Sequence, residues 1–228
     1  MPVIINGSTG ISGTDGSAAT PAVQGTDTNT GMFFPAADTI AFSEGGVEAL
    51  RLNSSGNAIF SGTVRVGGIA ADLYPLVLDT AKASTSGTFV DFTGIPSWAK
   101  RITVLFDGVS TNGSSNLLLQ LGTSSGPETS GYRGTAFYPG ATYSLLTSGV
   151  LLAQGGAAAN IANGSISFGL VTGNTWAGNG ITSYSNAAAI SIVSFAKALG
   201  GTLDRVRVTT VNGTDLFDAG SVNVMWEG

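Results

Sequence analysis

The chain contains no cysteine and no histidine, and only 10% of its 228 residues are charged. Each shortage removes a class of function. Without cysteine there is no disulfide frame and no thiolate nucleophile, so stability has to come from packing and assembly. Without histidine, Ser-His-Asp and Cys-His catalysis are closed, and so are histidine-bound zinc sites. Nine Lys or Arg against fourteen Asp or Glu, a net charge of −5, offer no basic patch for neutralising phosphates, which argues against nucleic acid. No apolar run approaches the roughly 20 residues of a spanning helix, so membrane insertion is not expected. The opening Met1-Pro2-Val3-Ile4-Ile5 lacks the basic leader of a signal peptide, which places synthesis in a cytoplasm. No Gly-rich phosphate fingerprint follows a strand and opens a helix, and no cofactor is expected.

What the chain does have is glycine, 34 residues, and many very short apolar runs. Between Gly25 and Gly62 these are Met32-Phe33-Phe34, Ile40-Ala41-Phe42, Leu50-Arg51-Leu52 and Ala58-Ile59-Phe60, separated by Gly, Asn, Ser and Pro-Ala. Each is long enough for one strand and too short for a buried helix. Such a segment carries too little apolar side chain to wrap a core around itself, and is expected to complete its core with other copies of the chain. Asn53-Ser54-Ser55-Gly56-Asn57 reads as a turn with Gly56 at positive φ. Val64 and Val66 alternate with Thr63 and Arg65, as in a half-buried strand. Asp72-Leu73-Tyr74-Pro75-Leu76-Val77-Leu78 reads as a short helix or an edge strand, bridging to the C-terminal part of the chain.

From about residue 81 the pattern is that of an antiparallel sandwich of eight to ten strands. Phe89-Val90-Asp91-Phe92 alternates, and Ile102, Val104 and Phe106 face opposite to Arg101, Thr103, Leu105 and Asp107. Ile166, Phe168, Ile190, Ile192 and Val193 supply further strands, as do Val206 with Val208 and Val222, Val224 and Trp226. Asp107-Gly108, Asn112-Gly113 and Asn212-Gly213 are turn signals. The fold class is therefore all-β.

The segment Thr28-Asn29-Thr30-Gly31-Met32-Phe33-Phe34-Pro35-Ala36-Ala37-Asp38-Thr39-Ile40-Ala41-Phe42, followed by Gly46-Val47-Glu48-Ala49-Leu50-Arg51-Leu52-Asn53-Ser54-Ser55-Gly56-Asn57, resembles the stem of tail fibre and tail-associated proteins of bacterial viruses. Thr85 to Gly122 and Gly201 to Gly228 are similar to the β-rich distal domain of such proteins. The resemblance covers more than half the chain. It implies a virion structural protein, trimeric, located in the tail. Residues 1–25 are then expected to dock on other virion tail proteins, 26–80 to form an intertwined trimeric stem, and 81–228 to form a jelly-roll-like head. The expected function is host attachment by non-covalent recognition, with host cell-surface polysaccharide as the receptor. The rival is a purely structural collar or capsid decoration protein.

Receptor-binding candidates are aromatics among polar residues, where a ring packs on a sugar face and amides bond its hydroxyls. Asn174, Trp176, Asn179 and Tyr184 form one set, and Tyr132 and Tyr138, near Arg133, Phe137 and Tyr143, form another. Packing in a core or subunit interface is the competing reading of the same rings. Trp98 reads as a core or interface lid, and Trp226 as core. For chemistry only carboxylates remain: Asp91, Asp107, Glu128, Asp204, Asp215, Asp218 and Glu227. Capping or surface roles are preferred for them, and no enzyme is expected. Asp107, Ser110 and Asn112 offer oxygen ligands for calcium, but a plain turn is the better reading. Arg205 and Arg207 share one strand face, toward solvent or a subunit boundary.

Overall fold

A computed structural model of the chain describes residues 4–6, 10–62, 64–66, 69–71, 76–138, 143–153, 156–158, 160–187 and 189–228. All regular structure among them is β, and every sheet is antiparallel. The chain divides into two compact units, Met1–Leu73 and Tyr74–Gly228.

The first unit holds β1 (Ile4–Asn6), β2 (Gly10–Ser12), β3 (Val23–Gln24), β4 (Gly31–Phe33), β5 (Ile40–Glu44), β6 (Val47–Leu52), β7 (Ala58–Phe60), β8 (Val64–Val66) and β9 (Ile69–Ala71). Strands β3 to β7 form a meander in which each strand pairs with the next in sequence. The turns are those the residues dictate. Gly56 takes φ 78°, and the Asn53 side-chain oxygen accepts the N–H groups of Ser55 and Asn57. A register shift places Ser43 opposite Glu48 while Phe42 faces Leu50, so Ala49 is a bulge. That extra residue brings Glu48 and Arg51, three apart, onto one face, where Arg51 Nε donates to Glu48 at 2.9 Å.

The second unit holds β10 (Val77–Leu78), β11 (Lys82–Ala83), β12 (Phe89–Thr93), β13 (Arg101–Thr111), β14 (Leu117–Thr123), β15 (Gly126–Pro127), β16 (Tyr132–Phe137), β17 (Ser144–Leu145), β18 (Val150–Ala153), β19 (Ala162–Thr172), β20 (Thr175–Tyr184), β21 (Ala189–Ala198), β22 (Arg205–Thr210) and β23 (Phe217–Glu227). A nine-stranded sheet runs β10-β23-β13-β19-β20-β21-β16-β17, with β11 also on β23. A five-stranded sheet runs β12-β22-β14-β15, with β18 also on β14. Inward side chains of the two meet in one core. Ile102, Val104, Phe106, Ile166, Phe168, Val222 and Val224 come from the larger sheet, and Val90, Phe92, Leu119, Leu121, Val206 and Val208 from the smaller. This is a sandwich-like arrangement with more strands than the sequence pattern predicts, several of them two residues long. Val77 and Leu78 pair with Trp226 and Met225 at the sheet edge. Asp72–Pro75 of that stretch, and Thr63 before β8, lie outside the described residues.

Two turn readings separate here. Asn212-Gly213 is a turn between β22 and β23, with Gly213 at φ 69°. Asp107-Gly108 is not: β13 runs through it with a register shift, Gly108 at φ 66° facing Gly220 at φ 89°. A Cβ on Gly220 would lie 2.3 Å from the Gly108 carbonyl carbon, so the pair is a bulge that lets two backbones approach.

Candidate functional site

The aromatic candidates divide sharply. Trp176, Tyr132 and Tyr184 are 3%, 5% and 7% exposed and belong to the core of the second unit. They cannot lay a ring on a sugar. Trp176 stands edge-on to Phe168 with centroids 5.8 Å apart, and the Tyr132 hydroxyl accepts the Leu121 N–H at 2.7 Å. Burial pushes the hydroxyl pKa of both tyrosines upward. The reason lies in the glycines beside Trp176. Gly178 and Gly180 are not loop residues but strand residues. A Cβ there would lie 2.3 Å from Phe168 Cβ or 2.2 Å from Ile166 Cδ1. They make room for core side chains, so the polar-looking segment is strand β20 with its tryptophan turned inward. Asn174 and Asn179 are exposed while the Trp176 and Tyr184 rings of their set are buried; Tyr138 is half-buried, and of its expected neighbours Phe137 and Tyr143 stand with ring centroids 5.1 Å apart, Tyr143 being 72% exposed. Trp98 and Trp226 are partly buried against the core, in line with their reading as packing residues.

The carboxylates are mostly committed. Glu128 accepts Lys197 Nζ and the Gly200 N–H. Burial would raise its pKa, but Lys197 and the Gly200 N–H outweigh that and hold it below its ordinary value. Glu128 and Asp204 line a cleft of about 620 Å³ with Ser97, Thr123, Ser124, Ser125 and Thr202. Glu128 is thus an acceptor there rather than a proton donor. Asp215 accepts Asn212 Nδ2 at 2.6 Å and the Ser115 N–H at 2.9 Å, and these bonds lower its pKa. Glu227 pairs with Arg101. Asp107 and Asp218 are exposed. For the imagined calcium site, Asn112 Oδ1 accepts the Leu216 N–H at 2.9 Å, and no three His, Cys, Asp or Glu cluster around one point among the described residues.

Asp91 is the exception in kind. On the outer face of the smaller sheet, Asp91 lies opposite Arg207, which lies opposite Gln120. Arg207 grips the carboxylate with Nε and Nη2, both at 2.7 Å, and Arg205 Nη1 reaches it at 3.1 Å. Lys82 Nζ donates to the Asp91 carbonyl at 2.5 Å. The next row holds Phe89, Thr209 and Leu118. Phe89 is 48% exposed, with the Arg207 guanidinium 4.0 Å from its ring centroid. Phe89, Arg207, Gln120, Thr209, Ser148 and Asn212 border a cleft of about 450 Å³. Gln120 and Thr209 are buried at its floor. Gln120 Nε2 donates to the Ser148 carbonyl and the Thr209 hydroxyl to that of Thr88. The signal in the sequence was the alternation that put Phe89 with Asp91 on one face and Arg205 with Arg207 on another. Nothing local says that these two faces are the same one.

The first unit offers a different surface. Directly opposed residues share a face, and the register gives one row across five strands: Val23, Met32, Phe42, Leu50, Phe60. Ile40, Leu52 and Ala58 form a second row beside it. Val23, Phe42 and Phe60 are 54%, 40% and 52% exposed. Comparison of the chain with protein-family models, curated proteins and solved structures gives no match.

Proposed function

We propose that this chain is a tail fibre or tail-tip protein of a bacterial virus that works as a homotrimer, attaching to the host surface by non-covalent adhesion. The observation that carries the reading is the apolar row from Val23 to Phe60. Pro21, Phe33 and Ala41 are the buried apolar residues among the described side chains of that unit, while Phe42 and Phe60 are 40% and 52% exposed. Exposed apolar area costs about 25 cal/mol per Å², and neighbouring side chains remove it from water. Identical copies carry the same row, and closed rotational symmetry lets each cover another. Threefold repetition then turns a weak saccharide contact into useful avidity. In this reading residues 1–25 dock on other tail proteins, 26–80 form the stem, and 81–228 form a jelly-roll-like head that carries no catalysis. The resemblance of the Thr28–Asn57 segment to viral stems supports it.

Sedimentation velocity on the intact chain tests the assembly. A single species of three times 22.8 kDa is expected, and a stable solitary chain overturns the reading. A second reading, a collar or decoration protein touching only other virion proteins, is favoured by one observation. Ile181 and Ile192 form a directly opposed, exposed apolar pair on the outer face of the larger sheet, with Leu105 beyond the intervening Ser165. Binding of the purified protein to host cells, with blocked infection, selects attachment over that role.

A further inference from the structure

We infer that the cleft beside Phe89 is a subsite for an acidic saccharide, one carrying a carboxylate or phosphoryl group. This deepens the attachment reading and rests on it for its biological meaning, though the chemistry can be tested alone. Three observations converge.

The charge at this place is unlike that elsewhere on the molecule. The other ion pairs among the described residues join one cation to one carboxylate: Arg51 with Glu48, Arg101 with Glu227, Lys197 with Glu128. Here two guanidinium groups share the single carboxylate of Asp91, while the Lys82 ammonium, set over the inward Phe92 ring, donates to the Asp91 backbone carbonyl. In a chain of net charge −5 this is a local surplus of positive charge. Asp215, the carboxylate nearest along the loop, is held by Asn212 and Ser115. An anion is favoured there, and a bidentate guanidinium suits planar oxyanions.

Donor capacity is also left over. Arg207 spends two of the five N–H groups of a guanidinium on Asp91. Arg205, one row beyond the cleft lining, has a buried Nε without a partner, an unmet cost that a bridging water or an acceptor oxygen reaching past Arg207 would relieve.

The third observation is the shape of the cleft. Phe89 presents an exposed ring whose guanidinium neighbour lies over one side, leaving a hydrophobic platform of the kind that takes the C–H face of a sugar ring. Gln120, Thr209 and Ser148 line the same cleft with amide, hydroxyl and carbonyl groups. Ring, amide and the Arg207 guanidinium border one volume of about 450 Å³, with Arg205 one row beyond on the same sheet face, and this set fits one charged sugar residue better than a neutral one.

The test compares two ligands that differ only in charge, methyl β-D-glucuronide and methyl β-D-glucoside, with glucose 6-phosphate as the phosphoryl counterpart. Each is titrated into the intact protein and followed by ligand-observed NMR. At least one acidic ligand is expected to bind about tenfold more tightly than the glucoside, and more weakly as salt rises. Phe89→Ala should weaken all three. Arg205→Gln, which leaves the Arg207–Asp91 pair in place, should weaken only the acidic ones, by about three- to tenfold. Equal binding of acidic and neutral sugars, no binding at all, or binding unchanged in Phe89→Ala overturns the assignment. Which acidic ligand binds identifies the anionic group. Cell binding of the same variants reads the attachment proposal separately. Wild-type and Phe89→Ala proteins that both bind cells, and equally well, sink the subsite's part in attachment and spare attachment, whereas a protein that takes the glucuronide but binds no host cell does the reverse.

Discussion

The two units are written in the same short apolar runs, yet they use them differently. In the second unit the alternation of β12, β13, β14, β19, β22 and β23 points every other side chain at the facing sheet, and phenylalanines such as Phe92 and Phe168 lose essentially all contact with water. In the first unit β5 alternates as strictly, but β3 and β7 are exposed throughout, and Phe42 and Phe60 remain about half exposed. The difference is the number of layers. A strand pattern specifies which residues share a face, and a second layer decides whether that face is a core. Identical chemistry is therefore fold-forming in one unit and interface-forming in the other.

Substitutions that probe the core should give the largest effects. Phe92→Ala removes a fully buried ring from the smaller sheet and should cost about 3–5 kcal/mol in chemical denaturation. Glu128→Gln comes next. It leaves Lys197, only 4% exposed, without a countercharge, and one amide oxygen must replace the two carboxylate oxygens that accept Lys197 Nζ and the Gly200 N–H, at a cost of about 3 kcal/mol. The pH dependence follows from the sign of the shift. The folded pKa of Glu128 is lowered, so its contribution is complete above the ordinary value of 4.5 and is lost as pH falls through the lower folded value. The wild-type melting temperature should drop in that window, and Glu128→Gln should flatten part of the drop. Gly178→Val should cost about 3 kcal/mol, because its Cβ meets the Ser167 carbonyl oxygen at 2.3 Å and Phe168 Cα at 2.7 Å, backbone atoms of the paired strand that can yield only if β19 and β20 separate. Thermal unfolding reads it. If Gly178→Val were silent, the account of why Trp176 is buried would fail.

The sequence displayed alternation and hid pairing. The inward faces of β12, β13, β22 and β23 were legible from Val90, Ile102, Val206 and Val222 because period two is a local property. The meander turn at Gly56 was legible because its chemistry is carried by adjacent residues. Trp176 was misplaced because glycine has two local meanings, a turn or a close approach, and only the neighbouring Phe168 and Ile166 decide between them. Gly108 was misread for the same reason, its partner Gly220 being more than a hundred residues away. The cleft at Phe89 depends on three strands drawn from residues 89–93, 117–123 and 205–210, and on loop residues such as Ser148. No spacing rule along one chain marks such a site. Arg205 and Arg207 were correctly placed on one face, but the partner that gives them meaning, Asp91, lies over a hundred positions earlier.

The smallest effect on unfolding is the one that sharpens the comparison most. Phe42→Ser and Phe60→Ser each remove an aromatic that its own unit does not bury, so in a solitary chain the stability change should stay within about 0.5 kcal/mol. If sister copies cover the row, the double variant should instead shift the sedimenting species toward the single chain, while the unfolding of the second unit stays as in the wild type. The outer-face pair Ile181→Ser and Ile192→Ser gives the matching control on the larger sheet. Loss of assembly from that pair, with Phe42→Ser and Phe60→Ser silent, would move the copy-to-copy contact out of the first unit. The exposed row from Val23 to Phe60 would then need a different partner.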